Sequence, residues 1–237
     1  MNITIIGAGR AGTSLDLALG RAGHSPRLVH HDELERIGTP DLVLLCVPDD
    51  HIATVAERVP VADYVVAHVA GSRGLDVLAP HRRVGTMHPL MTLPSTEVGA
   101  DRLMGATYCV AGDELVFEVV ASLRGRAITL RDDQRTAYHA TATAAANHLV
   151  ALMGHVEELA RSVGLSLEDF LPLAQRALDD VAAVGPEAAL TGPASRGDLA
   201  TIDAHLSAIP APERSAYVAM ANVALGLAER RRTRTLA

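Results

Sequence analysis

Four polar residues recur at intervals of four along one stretch: Arg135, His139, Thr143 and Asn147. On a helix each such step advances about 40°, so the four form one slowly drifting stripe. Their neighbours are mostly alanines, whereas a solvated face usually carries Glu, Lys or Arg. Short polar groups on an alanine-rich helix fit a face that lines a cleft. Arginine keeps its charge at any relevant pH and suits a carboxylate or a phosphate. Histidine can exchange a proton near neutrality. Asparagine can donate to a carbonyl oxygen and accept from a hydroxyl. The expected roles are catalytic for His139 and Asn147 and substrate-binding for Arg135 and Thr143. One absence narrows the chemistry: the 21 basic residues are all arginine. Schiff-base catalysis and a lysine general acid are therefore excluded.

A second constellation opens the chain. An apolar, β-branched run over residues 2–6 leads into Gly7-Ala8-Gly9-Arg10-Ala11-Gly12, and a helix-like stretch follows over 13–22. Strand, G-x-G-x-x-G turn and helix make up the dinucleotide-binding pattern. Gly7 permits the tight turn, Gly9 the close approach of backbone to a pyrophosphate, and Gly12 the packing of helix on sheet. Free N–H groups at the helix start would face the anion.

The elements that must position these groups are legible in order. Strands are expected at 26–30, 41–47, 64–69, 84–87, 106–110 and 127–130, and helices at 51–58 and 115–123. The alternation predicts a doubly wound, Rossmann-type parallel sheet of the α/β class. Ligands of such sheets bind at the carboxyl ends of the strands. Val47-Pro48-Asp49, Ser72 and His88 fall at such ends. The first two groups are then candidates for cofactor and substrate binding, and His88 is a further catalytic candidate. From residue 133 no strand is expected. Long helices at 134–162, 166–183, 198–207 and 213–230 surround a polar loop at 190–198, and residues 230–237 read as a frayed tail. This divides the chain into residues 1–132 and an all-helical part, 133–237.

Composition bounds the partners. A net charge of −7 argues against nucleic acid and anionic membranes. No apolar run reaches the ~18 residues of a membrane span, and no signal peptide is evident, which together imply a cytoplasmic protein. Cys46 and Cys109 read as buried thiols. His30-His31-Asp32 resembles a metal cluster, but adjacent strand residues point to opposite sides, so no metal is expected. Alanine-rich surfaces on the long and the last helix predict a homodimer built by the second part.

The chain resembles Rossmann-like proteins with a C-terminal DUF2520 domain, distant relatives of ketopantoate reductases, pyrroline-5-carboxylate reductases and 6-phosphogluconate dehydrogenases. The resemblance rests on Gly7 to Gly12, Val47-Pro48-Asp49, Met87-His88-Pro89-Leu90, Tyr138-His139-Ala140 with Asn147, and Leu190-Thr191-Gly192-Pro193 with Arg196-Gly197-Asp198. It implies an oxidoreductase using NADP or NAD, with Gly7, Gly9, Arg10, Ala11, Gly12, Val47, Pro48 and Asp49 at the cofactor and Arg196 at the substrate. Where ketopantoate reductases carry a lysine acid, Arg135 stands nearest. Asp32 could meet the ribose of NAD, and Arg27 and Arg36 the 2′-phosphate of NADP; the resemblance favours NADP. The expected function is reduction of a small carbonyl or imine, such as the 2-ketoacid ketopantoate. A nucleotide-binding sensor or scaffold without turnover is the alternative.

Overall fold

The computed structural model describes residues 1–235. Seven strands form one sheet: β1 (Asn2–Ile6), β2 (Ser25–Val29), β3 (Leu42–Leu45), β4 (Val65–His68), β5 (Val84–Pro89), β6 (Thr107–Gly112) and β7 (Arg126–Ile128). Their order is β2-β1-β3-β4-β5-β6-β7. The central strands are apolar at every position because both faces are covered. Leu42 and Leu44 enter one core with Ile3, Ile5, Leu15 and Leu19. Val43 and Leu45 enter the other with Ile6, Ile52 and Val55. Helices α1 (Arg10–Arg21), α3 (Thr96–Leu103) and α4 (Glu114–Ser122) cover the first face, and α2 (Ile52–Arg58) covers the second. This is the expected α/β sheet of Rossmann type.

Two features depart from the sequence pattern. The β5–β6 pair is antiparallel, with Pro89 opposite Tyr108, while every other pairing is parallel. The chain leaves β5, forms α3 and re-enters the sheet from the same end. Helix α3 itself was not expected. It is eight residues long with Gly99 at its centre, too short for an apolar stripe to stand out in the sequence. That glycine lets it lie against α1, since a Cβ there would stand 2.2 Å from Ser14 Oγ.

Contacts divide the chain into Met1–Ala146 and Asn147–Ala237. The strands do end at Ile128, close to the expected boundary, but α5 (Arg135–Thr143) belongs to the first unit. A π-helical turn, Ala144–His148, follows it, and α6 (Leu149–Ser162) continues the helical run. The second unit also contains α7 (Leu171–Val184), α8 (Pro186–Ala189), α9 (Gly192–Arg196), α10 (Leu199–Ala208) and α11 (Arg214–Thr235). The stretch expected as a polar loop over 190–198 therefore holds a short helix, capped by Gly197 at φ 71°. Residues 230–235 extend α11 rather than fray; residues 236 and 237 of that expected tail lie outside the described residues. Among the described residues no helix is long and apolar enough to cross a membrane.

The junction of β1 and α1 sets the tightest spacing. Gly7 has φ 112°, a left-handed conformation that costs other residues strain. A Cβ on Gly12 would lie 1.9 Å from the Gly7 carbonyl oxygen, which is backbone and cannot rotate away. Gly12→Ala is accordingly expected to cost on the order of 1–3 kcal/mol or more, lowering the melting temperature by about 5–10 °C. Thermal denaturation followed by circular dichroism checks this.

Candidate functional site

The carboxyl ends of β1, β3, β4 and β5 lie side by side, and the expected residues of the first unit gather there. Gly7, Gly9, Arg10, Ala11 and Gly12 turn from β1 into α1. Val47, Pro48 and Asp49 leave β3 one strand over. The next loop, after β4, carries Ser72, whose hydroxyl donates to Asp49 Oδ2 at 2.8 Å. His88 is the penultimate residue of β5.

His68 holds the β4 loop in place. It is fully buried. Its Nδ1 accepts from the Ala70 N–H at 3.2 Å, and its Nε2 faces the Gly74 carbonyl at 3.0 Å. A carbonyl only accepts, so Nε2 bears the proton and the ring is neutral. Burial pushes its pKa down, consistent with that form. Sequence reading passed over His68 because it ends an apolar strand.

The register of the outer strands delivers α5 to this place. Cys109 of β6 pairs with His88 on one side and with Ile128 of β7 on the other. β7 stops at that rung, and seven residues later α5 begins with Arg135. The Tyr138 hydroxyl lies 2.9 Å from His88 Nδ1, with the rings edge to face. The His139 ring centroid is 6.0 Å from that of His88. Gly71 makes the room: a Cβ there would be 2.8 Å from His139 Nδ1 and 2.9 Å from His88 Cε1. The His139 Nδ1 is buried without a hydrogen-bond partner.

Arg135 is the most unusual member of the cluster. Only 1% of it is exposed. Its Nε donates to Asp132 Oδ1 at 3.0 Å, while Nη1 and Nη2 are buried without partners. Its charge acts on His68, His88, Cys109 and Tyr138. Burial, followed by the neighbouring His139, pushes His88 down to about 4. Burial pushes the Tyr138 phenol up to about 12. At neutral pH His88 is therefore uncharged and Tyr138 keeps its proton.

The remaining expectations separate. Thr143 follows His139 on α5, but the π turn begins at Ala144. Bonds there run from i to i+5, so Asn147 lies beyond the regular α-helical spacing on which the stripe was drawn. Asn147 is exposed and, with Arg196 at the end of α9, belongs to the second unit. Tyr138 was not among the residues expected in the site; its place three residues after Arg135 and beside His139 was the available signal. Arg27 and Arg36 are not free for a phosphate. Arg27 is bonded to the carbonyls of Arg36 and Ile37, and Arg36 to Glu33 at 2.7 Å. The geometric objection to a metal at His30, His31 and Asp32 also fails. β2 ends at Val29, so these residues lie in a turn, where their ligand atoms come within 4.8 Å of one another. Asp32 lies 3.4 Å from His30 Nδ1 and 3.5 Å from His31 Nε2 there. Cys109 is buried and Cys46 only half-buried; both are free.

Residues 107–224 match the family described as "Domain of unknown function (DUF2520)". No curated protein matches the chain. Among solved structures, the "putative NADP oxidoreductase BF3122 from Bacteroides fragilis" is 22% identical, with a TM-score of 0.80, over 95% of this chain and 98% of that one. A Thermotoga maritima protein is 19% identical, with a TM-score of 0.76, over 97% and 99%. Plasmodium falciparum pyrroline carboxylate reductase with NADP bound is 11% identical, with a TM-score of 0.61, over 96% and 98%. At these identities the likeness is one of fold.

His88 makes stability depend on pH. Its folded pKa lies below the ordinary value of 6.5, so the unfolded chain takes up the proton first. The stabilisation is intact above about pH 6.5 and is lost as pH falls toward 4. His88→Gln should flatten the dependence over that window by a few kcal/mol at most. Urea unfolding of both proteins at pH 7.5, 5.5 and 4.5 measures the difference.

Proposed function

The chain carries a DUF2520 domain behind a Rossmann-type sheet, and from that premise we propose that it is an NADP-dependent reductase of a small carbonyl or imine. One observation carries the reading. Gly7 and Gly12 are glycines because the protein's own backbone crowds them, whereas a Cβ on Gly9 would meet nothing within 4 Å. The fold does not require a glycine at Gly9. Its bareness suits the approach of a diphosphate to the start of α1. Solved relatives named as NADP-binding support the choice of that cofactor.

On this reading Gly7, Gly9, Arg10, Ala11 and Gly12 hold the diphosphate, and Val47, Pro48 and Asp49 continue the groove toward β4. Ser72 fixes the Asp49 carboxylate. The bound cofactor supplies a hydride. Proton delivery falls to Tyr138 and His139, the two α5 residues turned to His88. His88 is neutral and orients the Tyr138 hydroxyl through its Nδ1. The positive charge of Arg135 favours the phenolate that forms if Tyr138 gives up its proton.

Gly9→Val tests the carrying observation. The variant is expected to fold, because space surrounds the new side chain, and to bind NADPH at least 10-fold more weakly. Fluorescence titration with NADPH beside a melting curve reads both. Unchanged affinity removes the glycine turn from the site.

We also assign the second unit to a homodimer interface. Its fully buried apolar residues are few, Ala160, Ile202 and Ala228, while Val150, Leu173, Val184 and Leu199 are each more than half exposed. Aliphatic surface of this extent gains by pairing with its own copy. Light scattering at micromolar concentration should give twice 24.9 kDa, and a monomer mass would count against it.

A further inference from the structure

We propose that the molecule reduced at this site is a 2-oxo or 2-imino acid, whose carboxylate is taken by Nη1 and Nη2 of Arg135. The proposal rests on the reading of the site as that of a nicotinamide-dependent reductase.

The two nitrogens are sealed from water and have no protein partner, while the rest of the guanidinium is bonded to Asp132. Native proteins almost always satisfy such groups, and an unpaired buried donor weakens the fold. Neighbouring acids do not fill the vacant valences. Asp132 reaches only Nε and is itself 77% exposed, and Asp49 accepts from Ser72. The neighbouring histidines cannot neutralise the charge either, because an imidazole is either neutral or cationic. An anion from outside the chain would satisfy both nitrogens, once the side chains covering them part.

Shape and place select the anion. Two terminal guanidinium nitrogens form a planar fork that matches a carboxylate in a bidentate pair. The cofactor's diphosphate is too far away to be that partner. The glycine turn leaves β1, and His88 leaves β5, three strands across in the order β1-β3-β4-β5. At ~4.8 Å per strand this is about 14 Å. Arg135 acts on His68, His88 and Cys109, at the β4–β6 side, where Tyr138 and His139 also stand. A carboxylate anchored there brings the adjacent carbon to the proton donors. In the reaction that carbon gains a hydride from NADPH, which is oxidised to NADP⁺. The carbonyl oxygen or imine nitrogen gains the proton, and the carboxylate is unchanged.

The test follows NADPH oxidation with straight and branched 2-oxo acids of three to six carbons, with and without ammonia, against their methyl esters. NADPH binding is titrated separately by fluorescence. We expect the acids to react at least ~100-fold better in kcat/KM than the esters. Arg135→Met should erase that preference, leave NADPH affinity intact and not lower the melting temperature, because it removes a buried guanidinium that only one exposed carboxylate partners. Arg135→Lys keeps the charge without the fork and should lose about 10-fold on the acids; it serves as the decisive variant should the methionine form not fold. Equal use of acids and esters overturns the proposal. So does full activity on the acids in a folded variant, or NADPH binding with no reaction on any acid. Failure of the wild-type protein to bind NADPH overturns the reductase reading itself.

Discussion

One backbone contact governs the geometry of the first unit: the carbonyl of Gly7 lies where a Cβ on Gly12 would be. It lets α1 begin directly at the carboxyl end of β1 rather than after a longer loop. The Gly7 N–H in turn bonds the Val29 carbonyl, which fixes the exit of β2 beside the same turn. The first helical N–H groups therefore point over the strand ends, where the β3, β4 and β5 loops also converge. Packing at van der Waals limits thus brings residues distant in sequence to one edge.

A second constraint is electrostatic. A guanidinium with 1% exposure raises the energy of any nearby positive charge. Buried His68 and half-buried His88 both have pKa values depressed chiefly by burial, and the guanidinium adds to that effect. The cluster consequently sets one fixed positive charge beside neutral His68, His88 and Tyr138. This arrangement suits an anionic molecule whose reaction also needs a proton.

Much of this was legible in the sequence, for identifiable reasons. The continuous apolar run at 41–47 could only be a strand covered on both sides, and the glycine spacing fixed the turn beside it. Arg135 and His139 were legible because helical periodicity holds through α5. The π turn before Asn147 was not legible, because alanines at Ala144, Ala145 and Ala146 give no sign that the helix widens there. α3 was invisible because its contacts are tertiary: Gly99 against Ser14, and Arg21 with Glu97 and Asp101. The convergence of His30, His31 and Asp32 was hidden by a one-residue question, whether β2 ends at 29 or 30. Tyr138 was present in a quoted motif, but its partner lies 50 residues away on a different element.

The rung that joins His88, Cys109 and Ile128 makes the site a matter of counting. Side chains on the outer strands can vary in kind as long as the number of residues from Ile128 to Arg135 is kept. One added residue there would change where α5 begins relative to that rung, and with it the place of the guanidinium. Length variation in that short connection is therefore a route by which one sheet could be refitted to molecules of different charge. The strands act as a ruler, and the connection sets where on it the helix begins to read.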